Sequence, residues 1–161
     1  MRAERVQFPS PRQKYLMKNI LLILLIILAG VGLFFVTRNK NPKLLTMQIG
    51  KANIKYETAR TAKEVELGLS YRKDLPQGQG MLFVFPGKGF RTFWMNEMLF
   101  PLDIIWIADN RVVQIDKNVP IKTNGAWTLV NPNYPADKVL ELKGGEAERL
   151  GISVSDSVSF F

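Results

Sequence analysis

The 161-residue chain contains no cysteine and no histidine. The first absence excludes disulfides, thiol nucleophiles and thiolate metal sites. The second removes the commonest general base and the commonest metal ligand. Ser–His–Asp and Cys–His mechanisms are therefore impossible within the chain. No metal site and no cofactor is expected. Any catalysis must rest on carboxylates, Lys, Tyr or hydroxyls, and no pattern singles out a catalytic residue. A phosphate loop and a dinucleotide fingerprint are also missing; Gly144–Gly145 has only the specificity of a turn. A basic face is missing once the net charge of +8 is divided by region. Residues 1–43 hold eight Lys/Arg against the single acid Glu4, and residues 44–161 hold fourteen against thirteen. A nucleic-acid domain carries its own clustered positive surface, so no nucleic-acid partner is expected.

What is present begins with a polar, basic arm, residues 1–19, interrupted by Pro9 and Pro11 and read as disordered on the cytoplasmic side. Ile20 to Val36 follows with seventeen residues and no charge. At ~1.5 Å per residue such a helix is roughly 25 Å long, close to the hydrocarbon thickness of a bilayer. A buried core helix is the plainer reading, but a helix apolar on every face has no solvent side to offer a small domain. A cleaved signal peptide would have a shorter apolar run ending in a small-x-small site, and Ala29–Gly30–Val31 lies in mid-run instead. Residues 20–37 are therefore expected to be a single transmembrane anchor. Basic residues weighted to its N-terminal side put that terminus inside and the domain outside the cytoplasm. Residues 38–43 form a linker.

Residues 44–161 read as mainly β. Leu45, Met47 and Ile49 alternate with polar neighbours, as do Ile54, Tyr56 and Thr58, which predicts a first hairpin. Thr61 and Glu64 match a capping box, so a helix is expected from Ala62 to near Tyr71. Met81–Phe85 and Leu102–Ala108 predict buried strands, and Asp109–Asn110 predicts a hairpin turn into Arg111–Ile115. Asn118–Pro135 reads as irregular, Lys138–Leu142 as a strand, Glu146–Leu150 as a helical turn, and Val154–Phe160 as the strand that closes the sheet. Many short strands with little helix imply a jelly-roll-like β-sandwich or partly closed barrel.

The most apolar part of this domain, Phe90–Ile107, holds Arg91, Asn96, Glu97 and Asp103 among large hydrophobes. Around it run Gly68-Leu-Ser-Tyr-Arg72, Gly80-Met-Leu-Phe-Val-Phe85, Phe93-Trp-Met95 leading to Pro101-Leu-Asp-Ile-Ile105, Val139-Leu-Glu-Leu142, and Gly151-Ile152 leading to Asp156. Together, and in this order, these motifs resemble the prokaryotic family called domain of unknown function 192, over about residues 44–161. The resemblance implies a jelly-roll-like sandwich with little helix, often following an export signal or membrane anchor, and brings no established activity. Asn96–Glu97 stands where the family usually has Lys-Asn, Ser70 where it has Met, and Ser155 where it has Gly.

Three residues stand out as candidates for ligand binding. Arg72 is either a cation at a helix C-terminus or a guanidinium facing a carboxylate or phosphate. Asp103, inside an apolar strand, is either a structural acceptor for backbone N–H groups or Arg72, or an acid/base. Trp94 is either core or an aromatic platform. Arg72 and Asp103 are expected to meet near Trp94. A Glu97–Asp103 pair of the glycosidase kind is a further option. Glu141 alternates with Leu140 and Leu142 and is expected to face solvent or an edge. The chain thus reads as an anchored extracytoplasmic binding or interaction module for a small ligand or an envelope protein. The alternative is a carboxylate-dependent enzyme acting on an envelope glycan or similar polymer.

Overall fold

A computed structural model of the chain describes residues 12, 18–20 and 43–161. The chain divides into two compact units, Met1–Pro42 and Lys43–Phe161. In the first, residues 12 and 18–20 are helical and exposed. The expected anchor, apart from Ile20, lies outside the described residues, as does most of the basic arm. Among the described residues no helix is long and apolar enough to cross a membrane.

The second unit is built on one seven-stranded sheet in the order β11-β1-β2-β3-β10-β5-β6. Its strands are β1 (Leu45–Ile49), β2 (Ala52–Ala59), β3 (Gln79–Gly89), β5 (Leu102–Ala108), β6 (Arg111–Val119), β10 (Ala136–Lys143) and β11 (Val158–Phe160). The pairing of β2 with β3 is parallel and every other neighbour is antiparallel. The first hairpin forms as expected, with Ile49 opposite Ala52. Asp109 and Asn110 both take positive φ, the requirement of a tight primed turn between β5 and β6. The two edge strands approach one another: Arg111 bridges Ser157, and Val158 N–H donates to the Asn110 carbonyl at 2.8 Å. The sheet is thus curled into a half-barrel whose edges nearly meet. The partly closed barrel is the form adopted; a two-sheet sandwich is not.

Alternation then creates two cores. Each of the seven strands sends residues to the inner one, including Met47, Ile54, Leu82, Ile105, Val112, Leu140 and Val158. Opposite residues of β3, β5 and β10, such as Met81, Phe83, Ile104, Trp106 and Val139, face outward into a second core. Strands apolar on both faces need cover on both. The outer cover is not a second sheet but loops and two short ribbons, β4 (Phe93–Trp94) with β9 (Leu129–Val130), and β7 (Lys122–Thr123) with β8 (Ala126–Trp127). Prolines 120, 132 and 135 keep this segment from extending into full strands. Leu69, Leu75, Met95, Met98 and Val130 complete the outer layer.

Two helices are present in this unit, and both are short. In α1 (Ala62–Leu67) the capping box forms as expected: Glu64 N–H donates to Thr61 Oγ1 at 3.2 Å, and Thr61 N–H to Glu64 Oε2 at 2.9 Å. The helix stops at Gly68, not near Tyr71, because Gly68 turns to φ 50° and ψ −131°, a backbone region that side chains other than glycine resist. The second helix, α2 (Glu146–Arg149), follows Gly145, which has no side chain to cap it.

Candidate functional site

Asp103 supplies the cap that Gly145 lacks. It is fully buried, and its two oxygens accept backbone N–H groups, Oδ2 from Ala147 and Oδ1 from Asn118, each at 2.7 Å. A carboxylate at the first turn of a helix satisfies an orphan donor and suits the helix dipole. Its strand partner Leu142 belongs to the inner core, so Asp103 lies on the inner side of the sheet. The expected approach of Arg72 to Asp103 is not found, and the partners of Asp103 are backbone groups, not Glu97. The alternation of β5 explains this: Ile104 faces outward, so the residue before it faces in.

Arg72 sits on the outer side. It does not cap α1, which has no basic residue in its last turn. The chain runs on from Gly68 through a turn in which Ser70 Oγ donates to the Asn96 carbonyl at 2.7 Å and Tyr71 N–H to the Glu97 carbonyl at 2.9 Å. Arg72 then pairs with Glu57 of β2, both side chains partly buried. A guanidinium–carboxylate pair of this kind keeps each charge satisfied at the cost of partial desolvation.

The residue that completes the cluster is Glu141, where the expectation of a solvent-facing side chain is wrong. β10 is an interior strand packed on both faces, Leu140 and Leu142 in the inner core and Val139 in the outer one, and Glu141 is only 5 % exposed. Its Oε2 is buried without a hydrogen-bond partner, an uncommon state that costs free energy unless something relieves it. Burial pushes its carboxyl up to about 8, with the Arg72 guanidinium opposing. The register explains the company it keeps. Glu57, Met81, Glu141 and Ile104 lie in one row across the outer face, so two inter-strand steps put the Glu57 and Glu141 backbones roughly 10 Å apart. A methyl group placed on Gly68 would lie 3.5 Å from Glu141 Oε2 and 3.5 Å from Phe83. The Gly68 backbone thus packs close over the buried carboxyl, with room for no more than a methyl group in ordinary contact.

Trp94 flanks this region on the ribbon β4–β9. Its neighbours Phe93 and Met95 are turned into the outer core, Phe93 packing edge-on to Phe83 at 5.1 Å and to Trp106 at 5.4 Å. Trp94 itself is 48 % exposed, and Tyr71, on the turn bonded to Glu97, is 64 % exposed. Three of the sequence motifs, Gly68–Arg72, Phe93–Met95 and Val139–Leu142, thus converge on the outer face. Arg72 and Trp94 belong to that convergence and Asp103 does not. Glu57 and Glu141 were missed. For Glu141 the available signal was an acid in a strand flanked by Leu140, Leu142 and Val139; for Glu57 the sequence holds none. Among the described residues no group of three or more acids is placed to hold a metal ion.

A second polar cluster lies further along the same face. Trp106 Nε1–H donates to Asp116 Oδ2 at 2.6 Å, Gln114 Nε2 donates to Asp116, and Gln114 Oε1 accepts Asn133 N–H at 2.6 Å. These groups satisfy one another and pin the segment before β10 to β6.

The structure resembles two solved proteins. One is a protein of unknown function from Novosphingobium aromaticivorans, 32% identical, with a TM-score of 0.67 over 75% of this chain and 88% of that one. The other, a candidate transcription regulator from Sinorhizobium meliloti, is 27% identical, with a TM-score of 0.67 over 74% of this chain and 95% of that one. Comparison with curated proteins gives no match. The family profile of domain of unknown function 192, described as an uncharacterised ACR, matches residues 44–160, so the chain belongs to that family.

Proposed function

We propose that this chain is a membrane-anchored binding or interaction module held outside the cytoplasm. Its ligand is a small molecule or an envelope protein and its binding face is the outer side of the half-barrel. The observation that carries the binding reading is Glu141, a buried acid with an unpartnered oxygen at the point where three motifs meet. Tyr71 and Trp94, on the turn and the ribbon that cover the same face, are exposed, and exposed aromatic side chains suit recognition surfaces. The location rests on the uncharged run within residues 20–37 and the basic excess before it. One solved neighbour is described as a candidate transcription regulator. For this chain, fourteen basic against thirteen acidic residues in 44–161 argue against a DNA partner.

A photo-crosslinking amino acid placed at Tyr71 in intact cells tests the reading. It should give discrete adducts, and the same group at exposed Lys51, in the β1–β2 turn, should give none. Equal, diffuse labelling at both positions contradicts it.

A carboxylate-dependent enzyme acting on an envelope polymer is the second reading, favoured by the raised Glu141 carboxyl near the Glu57–Arg72 salt bridge. Release of reducing ends from isolated cell-wall polymer, lost in Glu141→Gln, would select it.

A further inference from the structure

We propose that one end of the half-barrel rests on an anionic lipid surface, the headgroup layer of the membrane that holds the chain. The proposal rests on the anchor reading above and adds to it a contact between the folded domain and the bilayer. The strand directions define this end. β1, β6 and β10 begin there, and β2, β3, β5 and β11 finish there. The chain therefore enters the domain at this end, and the linker of residues 38–43 spans at most roughly 20 Å even when extended.

The same end carries a ribbon that outruns its neighbours. β2 last pairs with β3 at Ala59 and Phe83, and β5 last pairs with β10 at Ile107 and Lys138. β3 and β10 run on together until Gly89 stands opposite Ala136, with no third strand beside them among the described residues. Arg91 fixes the tip. Its guanidinium donates to the Gly87 and Ala136 carbonyls, each at 2.9 Å, and lies 4.1 Å over the Phe85 ring. At the tip stand Phe90, 69 % exposed, and Tyr134, 58 % exposed. Leu44 and Phe161 are exposed at the start of β1 and just past β11. Such side chains partition into the boundary between headgroups and acyl chains, and neighbouring cations draw them to anionic lipid. Exposed Lys43 and Arg60 lie at this end. The acids bordering it are already engaged: Asp109 by Lys88, Asp137 by Lys138, and Glu64 by the α1 cap.

The chain has no cysteine, so Phe90→Cys and Tyr134→Cys each give the full chain a single thiol for an environment-sensitive fluorophore. Lys51→Cys, in the β1–β2 turn at the opposite end, is the control. The chain is reconstituted in vesicles of phosphatidylcholine with about one-third phosphatidylglycerol. The two ribbon labels should emit to the blue of the Lys51 label. They should also lose more than half their emission to lipids carrying a nitroxide near the headgroup, and neutral vesicles should weaken that quenching. Quenching no stronger on the ribbon than at Lys51, or equal in neutral vesicles, would overturn the proposal. So would a blue shift without nitroxide quenching, the result expected if a protein or a second copy of the chain covers this end. If the chain floats with the vesicles while both ribbon labels stay in water, the anchor stands and the docked end is wrong. If the chain does not float, both readings go.

Discussion

Asp103 and Glu141 are both acids in apolar strands, and the structure separates them by a single criterion, whether the oxygens are used. Both Asp103 oxygens accept backbone N–H groups. Asp103→Asn turns one acceptor into a donor facing another donor, which should cost about 2–4 kcal/mol in urea unfolding. It should leave the Tyr71 cross-link unchanged; loss of cross-linking with full stability would return Asp103 to the binding site. Glu141 behaves oppositely. Its carboxyl is raised from 4.5 to about 8 in the fold. Between those values the folded protein keeps the proton that the unfolded chain has lost. Stability should therefore fall as pH rises through this window and level off above it, by roughly 3–5 kcal/mol in all. Glu141→Gln should remove most of that slope. Nothing in the sequence separates these two roles, because an acid flanked by aliphatic residues in an interior strand reads the same whichever face of the sheet it is turned to.

At the scale of elements, the turns and the capping box were legible because each rests on neighbouring residues. Thr61 and Glu64 close their box, and Thr61→Ala should cost about 1 kcal/mol by thermal melting. Asp109–Asn110 makes its turn by the same local logic. Helix α1 ends four residues before the expected limit near Tyr71 because the Gly68 turn is stabilised by Asn96 and Glu97, far away in sequence. The burial of Glu141 follows from loops and ribbons distant in sequence packing over the outer face of β10, which alternation does not encode. Gly80 marks how closely β3 and β10 approach. A methyl group there would stand 2.6 Å from the Glu141 carbonyl oxygen, a backbone atom that cannot move alone. Gly80→Ala should therefore destabilise by about 2–4 kcal/mol and loosen β3 from β10, visible as faster amide exchange in both strands. Protection unchanged from wild type would refute that close approach.

For the whole molecule, a mainly β fold with few helices was legible from short strands and frequent turns. The choice of a single curled sheet over a sandwich was not. It depends on Arg111 and Ser157 bringing the two edges together and on the outer layer staying irregular through residues 118–135. The two faces follow from that closure, and so does the separation of Arg72 from Asp103. The proposed topology makes its own prediction. Protease added to intact spheroplasts should remove everything after about residue 40 and spare a tag at Met1, because the positive-inside bias places the basic arm in the cytoplasm. A fully protected domain would reverse the orientation.

The central claim is that Glu141 is a buried, unpaired acid at the meeting point of the three motifs. Carbon-13 NMR of the labelled glutamate carboxyls, assigned by loss of one resonance in Glu141→Gln, measures it directly. The account predicts that this one carboxyl titrates near pH 8, where burial has placed it. A midpoint between about 4 and 5, the range of a solvated glutamate, would contradict it.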